Sequence, residues 1–280
     1  MDRQQWLEHR LTAEERAAFE RDGYFFIPGA LTPAQVEHFG TVLDDVDARV
    51  RHERGLGAQE TVNLHDTIGH DARLLELIDW PRTFPKVWDI LGWNIQLFHT
   101  QMIVTPPRHG DKTPSRWGWH QDNNRMNRDI VEVDLQPMIS LKVAYFLSDV
   151  SAPGRGNFAV VPGSQQTRTL EPSQNGDPNP RGTLEVLGKP GDALIFDRRL
   201  WHAGSPNWSE QTRKVLFYGY AYRWLRPKCA MDTSRVWDIC GPIRRQLLGA
   251  CTATNGYFDP QPDDVPLRAW MEEHLESVRA

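Results

Sequence analysis

His120 and Asp122, two positions apart in Trp119-His120-Gln121-Asp122, and the isolated His202 in Trp201-His202-Ala203-Gly204 are residue types that bind metals. Two imidazoles and one carboxylate cover one face of an octahedral Fe(II) and leave the opposite positions open for a co-substrate and O2, which a closed tetrahedral zinc site does not offer. Arg213 follows the second histidine and adds a guanidinium, whose planar fork matches a carboxylate. This combination predicts metal-dependent oxidative chemistry and not merely a fold.

A second H-x-D competes with the first. His109-Gly110-Asp111 has the same spacing as His120-Gln121-Asp122, and spacing alone does not separate them. Context does: His109 lies in Pro106-Pro107-Arg108-His109-Gly110-Asp111-Lys112-Thr113-Pro114, a charged loop poorly suited to holding a ligand rigidly. His120 follows Trp117-Gly118-Trp119, apolar bulk that can wall a site. Most other histidines read as structural or surface, with His9, His38, His52 and His274 on polar helix faces and His65 and His70 ahead of the expected barrel.

The elements that must position these residues change character along the chain. Thr12 with Glu15 forms a capping box for a helix that stops near Gly23, and Thr32-Pro33-Ala34-Gln35 repeats the logic before Val36, Phe39, Val42 and Leu43. Tyr24-Phe25-Phe26-Ile27-Pro28-Gly29 between them reads as a short strand and turn, and further helices are expected over 72–80 and 84–91. From Ile95 the period becomes two: 96–104 is strand-like, and Leu141, Val143, Tyr145 and Leu147 alternate with Lys142, Ala144 and Phe146. More strands are expected over 158–161, 184–186, 193–196 and 215–222, with an exposed loop over 175–182. Short strands split by Gly, Pro and Asn turns predict an antiparallel barrel or jelly roll. After Pro227 the pattern weakens into helix and coil, ending in a polar helix over 267–278.

A chain of 280 residues, 39% hydrophobic, can bury a substantial core and fits one domain: a helical part over about 1–94, a jelly-roll core over about 95–227 and an extension over 228–280. The net charge of −5 and the lack of a basic cluster argue against nucleic acid. No apolar run approaches the roughly 20 residues of a membrane span, and the polar start Met1-Asp2-Arg3-Gln4-Gln5 lacks a secretory h-region, so the expectation is a cytoplasmic protein. Cys229, Cys240 and Cys251 are odd in number with no C-x-x-C spacing, which suggests neither disulfides nor a zinc knuckle. Oligomeric state is not indicated.

Together these residues carry a resemblance. From Glu20-Arg21-Asp22-Gly23-Tyr24 to about Pro227, through Gly118-Trp119-His120-Gln121-Asp122-Asn123, Val161-Pro162-Gly163-Ser164, Gly191-Asp192-Ala193, and His202 with Arg213, the chain resembles the phytanoyl-CoA dioxygenase family of Fe(II)/2-oxoglutarate oxygenases. No one of these marks is specific, but their order and spacing are. Gln165 stands where the family often has His after Pro-Gly-Ser, a position not carried over as a ligand.

The resemblance implies a mainly β fold with flanking helices, a double-stranded β-helix of the cupin-like jelly-roll kind. It implies His120, Asp122 and His202 as Fe(II) ligands, and Arg213 for the terminal carboxylate of 2-oxoglutarate. Strand alternation agrees, since Arg213 shares a face with Val215, Phe217, Gly219 and Ala221, a set narrow enough to line a cavity. Gln101 is a candidate for the oxoglutarate carboxylate next to the metal by the same analogy, or else a strand amide in a hydrogen-bond ladder. The implied reaction consumes O2, releases succinate and CO2, and oxidises a C–H bond of a small molecule. Halogenases of this superfamily lack the carboxylate, so Asp122 favours hydroxylation, or a related desaturation or ring formation. Asn123, Asn124, Arg125 and Arg128 follow the ligand loop and are placed to reach a polar or anionic substrate, but read first as a solvated loop, and nothing specifies the substrate. A metal enzyme that does not use 2-oxoglutarate, such as an isomerase, and a non-catalytic small-molecule-binding protein are the other readings. Arg213 argues against the first and the complete ligand set against the second.

Overall fold

Hydrogen-bonded antiparallel ladders dominate the architecture. The computed structural model describes residues 3–122, 124–130, 136–173 and 176–278. Its strands are β1 (Tyr24–Ile27), β2 (Val62–His65), β3 (Ile95–Thr105), β4 (Ser140–Phe146), β5 (Phe158–Val160), β6 (Leu184–Glu185), β7 (Ala193–Asp197), β8 (His202–Gly204) and β9 (Arg213–Tyr222). Six form a sheet in the order β1-β7-β4-β9-β3-β2 and three a smaller one in the order β6-β5-β8. Every pairing is antiparallel. Two strands of the large sheet come from the N-terminal part: β1 is the short strand expected there, and β2 is a strand where none was expected. His65 therefore lies in the sheet, opposite Gln101, and not ahead of it.

Period-two alternation sorts the large sheet into two faces. Leu141, Val143 and Tyr145 of β4 and Leu216, Tyr218 and Tyr220 of β9 join a large core beneath the helices. Ala144 and Phe146 of β4, Leu194 and Phe196 of β7, and Val215 and Phe217 of β9 join a smaller core with Phe158 and Val160 from the opposing sheet.

The helices buttress the outer face. Both expected capping boxes form, at Thr12 with Glu15 and at Thr32 with Gln35, and the helices they start end at Gly23 and Gly55 in left-handed conformation. The longer, Pro33–Arg54, buries Phe39, Val42, Leu43, Val46 and Val50. Residues Ala72–Asp79 form a 3-10 helix, a tighter path than the expected α-helix. The carbonyls of Leu74 and Ile78 in it accept from the hydroxyls of Tyr218 and Tyr220, at 2.5 and 2.7 Å, which ties the segment to β9. The last helix, Pro266–His274, stops short of the expected end, where the Trp270 carbonyl accepts from Nδ1 of His274 at 2.8 Å. Asn175, and with it part of the expected 175–182 loop, lies outside the described residues. Among the described residues, no helix is long and apolar enough to cross a membrane.

Candidate active site

A two-residue ladder assembles the first site. His120 and His202 exchange both backbone hydrogen bonds at 3.0 Å, which extends the small sheet beyond β8 and sets the two rings with centroids 4.3 Å apart. Two residues on, the Asp122 N–H donates to the Arg198 carbonyl at 2.8 Å, just past β7. One short segment thus bridges the two sheets, and an H-x-D spacing places its histidine and its carboxylate on opposite walls of one gap.

Second contacts fix each imidazole. Nδ1 of His120 lies 2.8 Å from the Gly118 carbonyl and Nδ1 of His202 lies 2.8 Å from the Leu200 carbonyl. A carbonyl only accepts, so Nδ1 carries the proton on both rings and Nε2 keeps its lone pair for a metal. His202 is buried, stacked on Phe158 at 5.2 Å and edge-on to Phe196 at 5.0 Å. That burial, with His120 beside it, pushes its pKa down to about 3, so the ring is neutral as a ligand must be.

Burial would raise the Asp122 pKa, but the charges of Lys142 and Lys228 and the hydrogen bond from Lys142 help to outweigh it, and the carboxyl lies well below the usual carboxylate range. His120, Asp122 and His202 bring ligand atoms within 4.8 Å of one another, and among the described residues this is the group of three with metal-binding geometry. An ionised carboxylate and two imidazoles, His202 neutral, suit Fe(II).

The competing pair has no such surroundings. His109 and Asp111 are both exposed, and Asp111 accepts from the backbone N–H and the hydroxyl of Thr113 within its own turn.

Arg213 begins β9 and points into the barrel with Val215 and Phe217. It is 6% exposed, its Nε has no hydrogen-bond partner, and burial pushes its pKa down to about 10. Gly156 (φ +71°) makes room, because a Cβ there would lie 3.4 Å from Cβ and Cγ of Arg213. A buried, unpaired guanidinium is costly in isolation and calls for an anion. The neighbouring arginines are already committed: Arg199 to Asp197 at 2.6 Å, and Arg223 to the carbonyls of Gly256 and Ala250.

Gln101 also faces inward, opposite Phe217, but its amide donates to Asn63 Oδ1 on β2 at 2.8 Å. Asn123 lies outside the described residues. Arg128, with Trp119, His120, Gln121, Gln136, Arg168 and Trp201, lines a cavity of about 400 Å³ on the His120 side.

Three inner residues were not singled out in the sequence. Lys142 is 7% exposed and grips Asp122 at 2.7 and 2.9 Å, Lys228 reaches the same carboxylate at 3.7 Å, and His99 is fully buried. The available signal was Lys142 itself, the one charged side chain in the otherwise uncharged strand Ser140–Phe146.

Comparison with known proteins shows the family. The model of the phytanoyl-CoA dioxygenase (PhyH) family matches residues 19–215, more than half of the chain. The chain belongs to the phytanoyl-CoA dioxygenase family. As a member it is an Fe(II)- and 2-oxoglutarate-dependent dioxygenase. Among PhyH relatives, a probable phytanoyl-CoA dioxygenase of Caenorhabditis elegans is 23% identical over 75% of each chain. An L-proline trans-4-hydroxylase of Streptomyces griseoviridis is 22% identical over 74% of this chain and 85% of its own. HygX of Streptomyces hygroscopicus, solved with nickel and 2-oxoglutarate, superposes with a TM-score of 0.60 at 18% identity, over 83% of this chain and 94% of that one. The PhyH jelly roll is thus the fold observed here.

Proposed function

We propose that His120, Asp122 and His202 hold Fe(II), that Arg213 binds the terminal carboxylate of 2-oxoglutarate, and that the enzyme hydroxylates a C–H bond of a small molecule. The observation that carries this reading is a pairing: two imidazoles with Nε2 free beside an ionised carboxylate, and a buried Arg213 with no carboxylate partner within 4.0 Å among the described residues. When bound, Fe(II) with 2-oxoglutarate and O2 supplies the oxidant for the C–H bond, with release of succinate and CO2.

The protein residues set the geometry. The carbonyls of Gly118 and Leu200 hold the two rings with Nε2 free, and with Asp122 these residues would hold the iron that supplies the oxidising chemistry. Arg213 supplies a charged fork for one end of the dicarboxylate, and a guanidinium buried away from water binds it bidentately. Phe158, Phe196 and Phe217 wall the gap and exclude water from the reacting centre. Gln101 is held by Asn63 and can still offer its carboxamide oxygen, so its proposed role is to orient a water or ligand beside the metal position.

The test is product mass. Iron-loaded enzyme incubated with 2-oxoglutarate, ascorbate, excess chloride, isotopically heavy O2 and a metabolite extract is expected to form succinate and a product bearing one heavy oxygen. A chlorinated product would remove Asp122 from the ligand set. Loss of a metabolite without succinate formation would favour a metal enzyme that does not use 2-oxoglutarate.

A further inference from the structure

The wall facing the two imidazoles carries more positive charge than iron and 2-oxoglutarate account for. Both Asp122 oxygens lie within 2.9 Å of Lys142 Nζ, and Oδ1 lies 3.7 Å from Lys228 Nζ. Among the described residues, no second carboxylate lies within 4.0 Å of either ammonium. A carboxylate that ligates a metal gives much of its charge to the metal, so a loaded site leaves these ammoniums short of a counter-ion. Counting formal charges, a divalent iron with Lys142, Lys228 and Arg213 outweighs Asp122 with a doubly charged 2-oxoglutarate by two.

His99 adds a polar group on the same wall. It is fully buried, neither ring nitrogen has a hydrogen-bond partner, and its ring lies over Gly219, where a Cβ would sit 2.8 Å from Nε2. Gly219 faces Lys142 across the β4–β9 ladder, so the imidazole and the ammonium share one patch of inner wall. Burial and then the charges of Lys142 and Lys228 keep the ring neutral, with one N–H to donate.

The approaches to the metal position have the same sign. Among the described residues, the lining of the 400 Å³ cavity beside His120 includes Arg128 and no carboxylate. A cavity of about 470 Å³ beside Lys228 is lined by Arg226 and Lys228, again with no carboxylate among the described residues. The chain as a whole carries a net charge of −5, so cationic walls at these two places are a local departure from the molecule's average. Converging positive charge in a shielded cleft raises the local concentration of anions.

We propose that Lys142, Lys228 and His99 form an anion seat beside the metal position, and that the molecule oxidised there is an organic acid whose carboxylate this seat holds. This rests on the iron and 2-oxoglutarate reading of the site and names its substrate class. Lys142 and Lys228 would give charge-assisted hydrogen bonds and His99 an N–H, three donors converging on a group with two oxygens. The acid's C–H bonds next to the carboxylate would then lie nearest the metal.

The experiment uses the full chain loaded with cobalt(II), so that no turnover intervenes. 2-Oxoglutarate is titrated first by calorimetry, and the saturated complex is then titrated with acetate and, separately, with uncharged acetamide, following the visible spectrum of the cobalt. The expected result is saturable binding of acetate but not of acetamide, weakened tenfold or more in Lys142→Met and several-fold in Lys228→Met. 2-Oxoglutarate affinity should change less than threefold in both. Lys228 is about one-third exposed, so its variant keeps the test open should Lys142→Met not fold. Absence of acetate binding to the wild-type complex would overturn the proposal. So would a tenfold loss of 2-oxoglutarate affinity in the lysine variants, because the seat would then hold the carboxylate of 2-oxoglutarate itself. Failure of the wild-type protein to bind 2-oxoglutarate would instead sink the reading on which the seat rests.

Discussion

Along β9, Leu216, Tyr218 and Tyr220 face the helices, while Arg213, Val215, Phe217 and Gly219 face into the barrel. The outer face is satisfied as it stands: its tyrosine hydroxyls donate to the Leu74 and Ile78 carbonyls and its aliphatic groups are buried against helix. The inner face is not. Arg213 Nε and both ring nitrogens of His99 are buried without a partner, and Asp122 is shared between two lysines and His202. Buried polar groups in folded proteins are normally paired, so this concentration of unpaired ones marks where a ligand belongs. The same strands therefore separate stability from chemistry by alternation alone.

The sharpest way to break that contrast is at the triad. His120→Ala, Asp122→Ala or His202→Ala should each abolish turnover and sharply weaken iron retention, because two ligands do not hold the ion in an open geometry. His109→Ala should retain wild-type iron content by metal analysis, since that side chain is exposed in its loop. The opposite pattern would mean that the other H-x-D binds the metal.

Next in size is Arg213. Arg213→Leu should raise the apparent KM for 2-oxoglutarate by an amount corresponding to roughly 3–5 kcal/mol, with metal affinity nearly intact, as expected on removing one partner of a shielded charge pair. Arg213→Lys should recover only part of this, since an ammonium cannot make the bidentate fork. Steady-state kinetics of succinate formation reads both. Unchanged 2-oxoglutarate dependence in Arg213→Leu would detach the guanidinium from the co-substrate.

The outer face should behave in the opposite way. Leu216→Ala is expected to cost about 2–5 kcal/mol of stability in denaturant melts, as a buried leucine truncated in a packed core, and to leave 2-oxoglutarate affinity of the folded protein unchanged. A large loss of affinity without loss of stability would erase the division between the faces.

The smallest effect is with pH. His202 has a folded pKa of about 3 against an ordinary 6.5, and burial lowers His99 as well. Between those values the unfolded chain binds protons that the folded protein refuses, so this contribution to stability is complete above about 6.5 and is lost as pH falls toward 3. Thermal melts of the metal-free protein should therefore decline as pH falls from 7 to about 5, where carboxylates near their ordinary pKa values remain largely ionised. A flat profile would mean that the two rings are not buried in neutral form.

Much of this was readable from residue order. Both capping boxes, the long strands β3, β4 and β9, and the inward face of Arg213 follow from local rules, because each spans enough residues for its period to register. The short strands β2 and β8 did not register, since four and three residues show little period and their pairing partners lie far along the chain. Lys142 was missed for a related reason. Alternation tells which residues share a face but not which face is closed, and a lysine on a strand reads as solvent-facing until an opposing sheet covers it. His99 was hidden because its burial depends on Gly219, which only the β3–β9 register brings against it.

Anomalous diffraction from crystals grown anaerobically with Fe(II) and 2-oxoglutarate tests the central claim most directly. The account predicts one iron peak at about 2.0–2.2 Å from Nε2 of His120, Nε2 of His202 and an Asp122 oxygen, with the dicarboxylate running from it to the Arg213 guanidinium. An iron peak at His109 and Asp111, or an Arg213 that makes no contact with 2-oxoglutarate, would contradict it.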